Sequence, residues 1–256
     1  KIMLFYFTGT GNSLYIAKQI SENPISIPQI INHDNMNFED DTIGIVCPVY
    51  CHIPPHIVIE FMKKATFKTN YFYMILTYGN RHGGVAELTE NIAKECGIKI
   101  DYIKNILMVD NYLPVFDMDE QKSIDKNIEK QITETLSDIS ERKKYIPVST
   151  EEDKQLHKNL LDTVSTMPRF NSGEQIQVTE KCIGCGICQK VCPIGNFYIE
   201  NKKALRKKET CEFCLACANN CPQKAIIMSI ADKNPNARYR NENISLQEII
   251  DANNQY

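Results

Sequence analysis

The sequence lacks several features that would assign it to a class at once. Its longest apolar stretches, such as Tyr71–Tyr78, are far shorter than the roughly 20 residues of a membrane helix, so no membrane-spanning segment is predicted. Positive charge is not in excess, because the net charge is -3 and the pI is about 6.0. No global field would therefore attract nucleic acid or an anionic membrane.

Targeting and catalytic signals are missing as well. The first segment, Ile2–Phe7, is strand-like and lacks the charged region, the apolar region and the small-residue cleavage site of a signal peptide. A cytoplasmic location is therefore expected. No Ser-His-Asp set, metal-activated water motif or pair of catalytic carboxylates stands out. With 43% hydrophobic and 24% charged residues, the 256-residue chain is nevertheless typical of a globular protein of one or two domains.

Cysteine is scarce in the first 180 residues and concentrated after them. Only Cys47, Cys51 and Cys96 of the 11 cysteines belong to that first part. The other eight form two runs of identical spacing, Cys-x2-Cys-x2-Cys-x3-Cys-Pro, which are Cys182, Cys185, Cys188 and Cys192, then Cys211, Cys214, Cys217 and Cys221. This short internal repeat indicates a second module with a chemistry of its own.

Each cysteine run has the spacing of an iron–sulfur ligand set. Three thiolates two residues apart can reach three irons of a cube, and the proline turns the chain away after the fourth cysteine. Zinc is an alternative, although two Cys-x2-Cys pairs would suffice for it. Disulfides fit poorly without a secretion signal, and buried structural cysteines would not repeat with identical spacing.

The first 146 residues alternate between strand and helix patterns. Short apolar segments predict strands, and apolar residues at helical spacing predict helices. The predicted strands are Ile2–Phe7, a weaker one near Ser26–Gln29, Thr42–Cys47, Tyr71–Thr77 and one within Ile98–Val109; the predicted helices are Asn12–Ser21, Ile57–Phe67, Val85–Cys96 and Asp119–Lys144. The alternation indicates a parallel sheet that is covered on both faces.

A loop of small and hydroxyl-bearing residues joins the first strand to the first helix. Its sequence is Thr8-Gly9-Thr10-Gly11-Asn12-Ser13. It lacks the lysine of a P-loop, and Leu14 replaces the third Gly or Ala of the dinucleotide fingerprint. Backbone N–H groups and hydroxyls at a helix N-terminus suit a terminal phosphate.

Thr8–Ser13 is similar to the phosphate loop of flavodoxins, and the cysteine runs are similar to those of two-cluster bacterial ferredoxins. In this order the chain resembles the fused flavodoxin–ferredoxin family over nearly its whole length. The resemblance implies an α/β, flavodoxin-like doubly wound parallel sheet of order 2-1-3-4-5, followed by a small α+β ferredoxin-like domain. The implied cofactors are FMN, at the carboxyl edge of the strands, and two [4Fe-4S] clusters.

The ferredoxin pattern also implies a crossed set of ligands. The fourth cysteine of each run there ligates the other cluster. One cluster is thus expected on Cys182, Cys185, Cys188 and Cys221, and the second on Cys211, Cys214, Cys217 and Cys192. The basic run 202–208 between them is typical of a solvated loop, and a docking patch for an acidic partner is the alternative.

Two further loops are expected at the flavin. They contribute Pro48, Val49 and Tyr50 after the third strand, and Thr77, Tyr78, Gly79 and Asn80 after the fourth. Tyr50 and Tyr78 are candidate stacking residues, because an isoalloxazine ring favours aromatic faces. The alternative is that both tyrosines cap the sheet without a ligand. The common Trp stack is absent, since the chain has no Trp.

These patterns predict a division into an FMN-binding domain (1–146), a linker helix (147–172), a two-cluster ferredoxin domain (173–232) and a tail (233–256) whose role its composition does not reveal. The predicted function is electron transfer between the clusters and FMN, linking soluble redox proteins and involving no nucleic acid or membrane. An FMN-dependent reductase of a small molecule and a redox-responsive regulator are the alternatives. The oligomeric state is not predicted.

Overall fold

The structure is a computed structural model that describes residues 2–167, 169–207 and 209–256. Lys208, the last residue of the basic run, lies outside the described residues, as does Pro168 of the predicted linker. The amino-terminal part comprises β1 (Ile2–Tyr6), α1 (Asn12–Ile20), β2 (Ile25–Ser26), α2 (Ile27–Ile30), β3 (Asn37–Glu39), β4 (Thr42–Pro48), α3 (His56–Lys64), β5 (Thr66–Lys68), β6 (Tyr71–Tyr78), α4 (Val85–Glu95), β7 (Tyr102–Leu107), α5 (Met118–Ser123) and α6 (Ile128–Ser140).

The central sheet is parallel throughout and has the order β2-β1-β4-β6-β7. β3 and β5 form a separate two-stranded ribbon, so the sheet strands follow the order 2-1-3-4-5 and the predicted fold is confirmed. Phe5, Ile45 and Tyr73 are fully buried, as expected for strands covered on both faces. In sheets of this topology, ligands bind beyond the carboxyl ends of the strands.

Local differences from the predicted elements have identifiable causes. The helix predicted over Asp119–Lys144 is two helices, α5 and α6, because the chain turns between them and Asn127 adopts a left-handed backbone. Helix α3 ends at Lys64, and the following residues form β5, whose Phe67 packs on Phe38 and Phe61 in an aromatic cluster. The segment predicted as a weak second strand is mostly the short helix α2.

The carboxy-terminal part is a small α+β unit. Its elements are β8 (Ile176–Val178), α8 (Ile187–Val191), β9 (Phe197–Glu200), β10 (Lys203–Arg206), α9 (Ala216–Asn220) and β11 (Ile226–Met228). β9 pairs with β10 and β11 with β8, both antiparallel. Each cysteine run begins in a loop and continues into a five-residue helix, α8 or α9, so the repeat in the sequence is also a repeat in the structure.

Two further helices come from the predicted linker and the predicted tail, and the second of them packs against both parts. Helix α7 (Glu151–Ser165) begins with a capping box at Thr150 and has no fully buried residue. Helix α10 (Leu246–Asn253) of the tail packs against α2 and α8. None of the helices in the described part of the chain combines the length and the apolarity that a bilayer span requires.

Candidate functional site

The loop Thr8–Ser13 lies between β1 and α1, as predicted. Thr8 Oγ1 accepts the Gly11 N–H at 3.1 Å and closes the loop on itself. Gly11 is the N-cap of α1 and has φ 105°, a left-handed conformation that favours glycine. The side chains of Thr8, Thr10 and Ser13 are buried. The result is a tight turn with small polar groups directly beneath a helix N-terminus.

Polar contacts tie this loop to the ends of the neighbouring strands. The Ser13 and Thr77 hydroxyls are 2.9 Å apart, which links α1 to β6. The Asn12 amide donates to the carbonyl of Val109 at 2.9 Å, beyond β7. The Asn111 amide donates to Thr10 Oγ1 at 3.0 Å. The carboxyl ends of three strands are thereby fixed around one position.

A cavity of about 510 Å³ opens at this edge of the sheet. Twelve of the thirteen predicted flavin-site residues line it: Thr8, Gly9, Thr10, Asn12, Ser13, Pro48, Val49, Tyr50, Thr77, Tyr78, Gly79 and Asn80. Gly11, the thirteenth, is not among the residues that line the cavity, and its left-handed backbone shapes the loop. The structure therefore brings the three predicted loops together around a single space.

Several cavity residues escaped the sequence analysis. They are the loop Val109–Tyr112 with Val115 and Phe116, the side chains Leu160, Thr163, Val164 and Met167 in and just beyond α7, and Gln175, Phe213, Met228 and Ile230 of the ferredoxin-like unit. Cys51, His52 and Arg81, which adjoin the predicted flavin loops, line the cavity as well. The α7 residues follow an i, i+3, i+4, i+7 pattern, so a signal was present within an otherwise polar segment. The contribution of the ferredoxin-like unit depends on how the two parts dock, which no local pattern encodes.

The eight repeat cysteines gather in the crossed arrangement. Four of them, here called quartet I, line one small cavity: Cys182, Cys185, Cys188 and Cys221. The other four, quartet II, line a second: Cys192, Cys211, Cys214 and Cys217. Burial, followed by the thiols of quartet II and then Cys188 of quartet I, raises the pKa of the Cys217 thiol. Helices α8 and α9, which carry Cys188 and Cys217, pack against each other, so the two quartets are neighbours and each could hold one cluster.

Backbone N–H groups point at the sulfurs in both quartets. Cys192 Sγ accepts the Asn196 N–H at 3.2 Å, and Cys221 Sγ accepts the Ala225 N–H at 3.3 Å, so the fourth cysteine of each run has the same partner four residues later. Such hydrogen bonds stabilise negative charge on a ligating sulfur and tune the reduction potential of a cluster. The donor set thus fits the chemistry of thiolate-bound iron.

The loops at the start of the two cysteine runs differ at two positions of left-handed backbone. Gly184 and Gly186 have positive φ angles in the first run, and the equivalent residues of the second run, Phe213 and Leu215, adopt positive φ without being glycine. A left-handed backbone at a residue with a side chain costs roughly 1–2 kcal/mol. Phe213 is one of the residues that line the cavity.

Quartet II adjoins the flavodoxin-like part directly. A Cβ atom added to Gly9 would lie 2.7 Å from the carbonyl oxygen of Cys214 and 2.8 Å from the Tyr50 hydroxyl. The Asn111 amide also donates to that carbonyl, at 3.4 Å. The carboxylate of Glu212 accepts the Ile57 N–H at 3.2 Å, at the N-terminus of α3. A cysteine of quartet II thus rests on the predicted phosphate loop.

The tail joins the same two sites from the other side. Asn253 is fully buried, and its amide donates to the Thr8 carbonyl at 3.0 Å and to the Val191 carbonyl at 3.2 Å. Val191 immediately precedes Cys192 of quartet II. The Asn241 amide donates to Asn12 Oδ1 at 3.1 Å. The tail therefore helps to hold the loop Thr8–Ser13 against the cysteine-bearing unit.

Histidines from three segments meet where α7 covers the cavity. His52 Nδ1 lies 3.4 Å from His157 Nδ1 on α7, and His82 Nδ1 lies 3.8 Å from the Asp153 carboxylate, also on α7. Burial, then His157 and His82, lower the pKa of His52, and Asp153 opposes this shift. In the contact of 3.4 Å between His52 and His157, one ring nitrogen must donate a hydrogen bond and the other must accept it. When both rings are protonated, neither nitrogen can accept.

We therefore expect α7 to dock less firmly in acid. Because the folded-state pKa of His52 lies below its unfolded value of about 6.5, the unfolded state binds more protons, and stability falls as pH decreases below that value. The melting temperature followed by circular dichroism should fall more steeply between pH 7.5 and pH 5.5 in the native protein than in His157→Gln. Parallel profiles for the two proteins would contradict this coupling.

The geometry defines a class: a parallel α/β domain of flavodoxin-like topology, joined to a unit with two crossed cysteine quartets. The profile of the 4Fe-4S dicluster domain matches residues 171–226. An uncharacterized ferredoxin of Methanocaldococcus jannaschii is 40% identical over 68 residues, which are 25% of this chain and 86% of that protein. The chain therefore belongs, through this part, to the ferredoxins with a 4Fe-4S dicluster domain.

Two other relatives also match short parts of the chain. One component of the ion-translocating oxidoreductase complex of Methanosarcina acetivorans is 47% identical over 45 residues, and the chain spans 17% of its length. A second uncharacterized ferredoxin of M. jannaschii is 38% identical over 66 residues, and the chain spans 41% of it.

Among solved structures, a putative flavoprotein from Bacteroides eggerthii aligns with a TM-score of 0.34 and 15% identity, over 55% of this chain and 98% of that one. A putative flavoprotein from Bacteroides uniformis aligns with a TM-score of 0.32 and 14% identity, over 48% and 95% of the two chains. Similarities at this level add nothing to the topology described above.

Proposed function

We propose that the chain transfers electrons between two [4Fe-4S] clusters, one on each cysteine quartet, and an FMN bound in the cavity at the sheet edge. The contact of Cys214 with Gly9 carries the proposal, because it joins a cluster ligand to the loop suited to a flavin phosphate. Soluble redox proteins of the cytoplasm would be the partners. The division at residues 146, 172 and 232 belongs to the same proposal.

The side chains and backbone of the chain provide binding and positioning. The clusters exchange electrons singly, and FMN exchanges one or two, which supplies the redox chemistry. The loop Thr8–Ser13 presents N–H groups and hydroxyls to a phosphate, and Tyr50 and Tyr78 flank the space for a ring. Phe213 and α7 cover that space and reduce the access of water.

A second candidate, an FMN-dependent reductase of a small molecule, is favoured by one observation. Four exposed apolar side chains line the cavity and come from three segments: Tyr112, Val115, Met167 and Ile230. An exposed apolar rim of this kind suits a neutral, apolar oxidant. Turnover of such an oxidant with saturation kinetics would support this candidate. The cover formed by α7 and the ferredoxin-like unit favours electron transfer instead.

The electron-transfer proposal predicts the composition of the purified protein. Purified without oxygen from cells supplied with iron and riboflavin, it should contain about eight irons per chain, as two four-iron clusters require, and about one FMN. Metal analysis and chromatography of the released flavin measure both. Stoichiometric zinc in place of iron would contradict the cluster assignment, and FAD in place of FMN would contradict the phosphate-loop assignment.

A further inference from the structure

The internal repeat allows the two cysteine loops to be compared position by position. We call residues 181–187 loop I and residues 210–216 loop II. In loop II, Glu212 accepts a hydrogen bond from α3, Phe213 lines the cavity and Cys214 lies on Gly9. These three consecutive residues make loop II a docking surface, and its partner is the flavodoxin-like domain of the same chain.

Loop I presents the equivalent positions to solvent. Ile183, at the position of Glu212, is 58% exposed, and Cys185, at the position of Cys214, is exposed as well. Quartet I has one buried cysteine, whereas quartet II has three. Ile183 thus gives an apolar contact surface beside Cys185, an exposed cysteine of quartet I, where electrons can enter or leave the cluster.

Positive charge is concentrated around loop I although the whole chain has a net charge of -3. The segments 180–190, 198–204 and 221–226 contain the residues that line quartet I, and together they have five basic and two acidic residues. One of the two acidic residues, Glu180, is paired with Lys203 at 2.5 Å. The charged side chains around quartet I are therefore net positive, opposite in sign to the net charge of the chain.

Three lysines flank the exposed edge of quartet I. Lys181 is exposed and immediately precedes the first cysteine. Lys202 is exposed, and its backbone packs against Gly184 so closely that a Cβ there would lie 2.6 Å from the Lys202 carbonyl carbon. The Lys224 N–H donates to the Cys221 carbonyl at 3.1 Å in the turn after the fourth ligand.

We propose that loop I, with Ile183 at its centre and Lys181, Lys202 and Lys224 at its rim, docks a redox protein whose own cofactor is surrounded by carboxylates. The proposal rests on the proposed electron-transfer function and names its partner class. One electron leaves the partner's reduced cofactor and enters the cluster of quartet I, so the partner is oxidised and that cluster reduced, and no atom is transferred. Quartet II then lies between quartet I and the flavin cavity.

An acidic one-electron donor tests this surface in the complete holoprotein. Reduced plant-type [2Fe-2S] ferredoxin is the probe, and its oxidation is followed by anaerobic stopped-flow absorbance. The second-order rate constant should fall about tenfold as the salt concentration rises from about 20 mM to about 300 mM, because opposite charges steer the encounter. The triple variant Lys181→Glu/Lys202→Glu/Lys224→Glu should lower the low-salt rate constant by about tenfold or more, and Ile183→Glu should lower it severalfold.

A matched control reverses three exposed lysines elsewhere. Lys64→Glu/Lys99→Glu/Lys130→Glu changes the net charge equally but lies on the flavodoxin-like domain, and its rate constant should stay within about twofold of the native value. Equal losses in the two triple variants, or no loss in either, would overturn the docking surface.

Light-driven reduction with neutral deazaflavin separates this proposal from the function on which it rests. One outcome would overturn docking at loop I and leave the electron-transfer proposal standing. In that outcome the clusters and FMN are reduced normally in every variant, and reversal of the loop I charges leaves the ferredoxin rate constant unchanged. Absence of the clusters or of FMN from the native protein would overturn the proposed function itself.

Discussion

Cys192→Ala should remove the cluster of quartet II and leave that of quartet I. Cys192 stands in the first cysteine run but lines the cavity formed by Cys211, Cys214 and Cys217. Iron should therefore fall from about eight to about four atoms per chain, with the paramagnetic signal of one cluster retained. Electrons from a docked donor should no longer reach FMN, since quartet II lies between loop I and the flavin cavity.

Two variants control this result. Cys221→Ala should show the mirror effect, because Cys221 lines the cavity of quartet I. Cys96→Ala should keep both clusters, since Cys96 lies at the end of α4, outside both quartets. If Cys192→Ala lost only the cluster of Cys182, Cys185 and Cys188, the crossed arrangement would be wrong.

Gly9→Ala should separate the two parts where they touch. The added methyl group would lie 2.7 Å from the Cys214 carbonyl oxygen and 2.9 Å from Cys214 Cβ, so loop II must shift. FMN affinity should fall about tenfold, which corresponds to about 1.4 kcal/mol, because the shift also disturbs the loop Thr8–Ser13. Transfer from the clusters to the flavin should slow by a comparable factor. Flavin fluorescence measures the affinity, and flash photoreduction measures the transfer.

Gly97→Ala provides the comparison for Gly9→Ala. No heavy atom lies within 4 Å of the added carbon, but φ is +76°, so the substitution costs roughly 1 kcal/mol through backbone strain alone. It should lower the melting temperature and leave the FMN affinity intact. Equal loss of FMN in both variants would trace the effect of Gly9→Ala to general destabilisation and not to the contact with Cys214.

The elements predicted correctly are those whose signals are local. Tyr71–Tyr78 is a short apolar segment, and its strand is recovered to within one residue. The crossed set of cysteines is what the resemblance to two-cluster ferredoxins implies, and in the structure the same two groups of four cysteines line separate cavities, while their role as ligands stays a prediction. The end of α3 differs from the prediction because a contact distant in sequence, the ring of Phe67 against Phe38, overrides a helical pattern.

The docking of the two parts could not be predicted from the sequence, because it too depends on contacts between residues that are distant in the chain. Nothing near Phe213 in the sequence shows that its ring reaches the cavity, and only its left-handed backbone, visible in three dimensions, marks it. Asn253 is similar, since one asparagine among several in a polar tail resembles any solvated residue. Long-range contacts of this kind depend on the whole fold.

Asn253 has one more consequence. Its single amide group bonds to the Thr8 carbonyl in one site and to the Val191 carbonyl beside the other. We expect this shared connection to couple the binding of the flavin to the binding of iron. Such coupling is reciprocal, so the factor by which iron loading raises the flavin affinity is also the factor by which the flavin raises the iron affinity. Riboflavin starvation should therefore deplete this protein of iron as well as of its flavin.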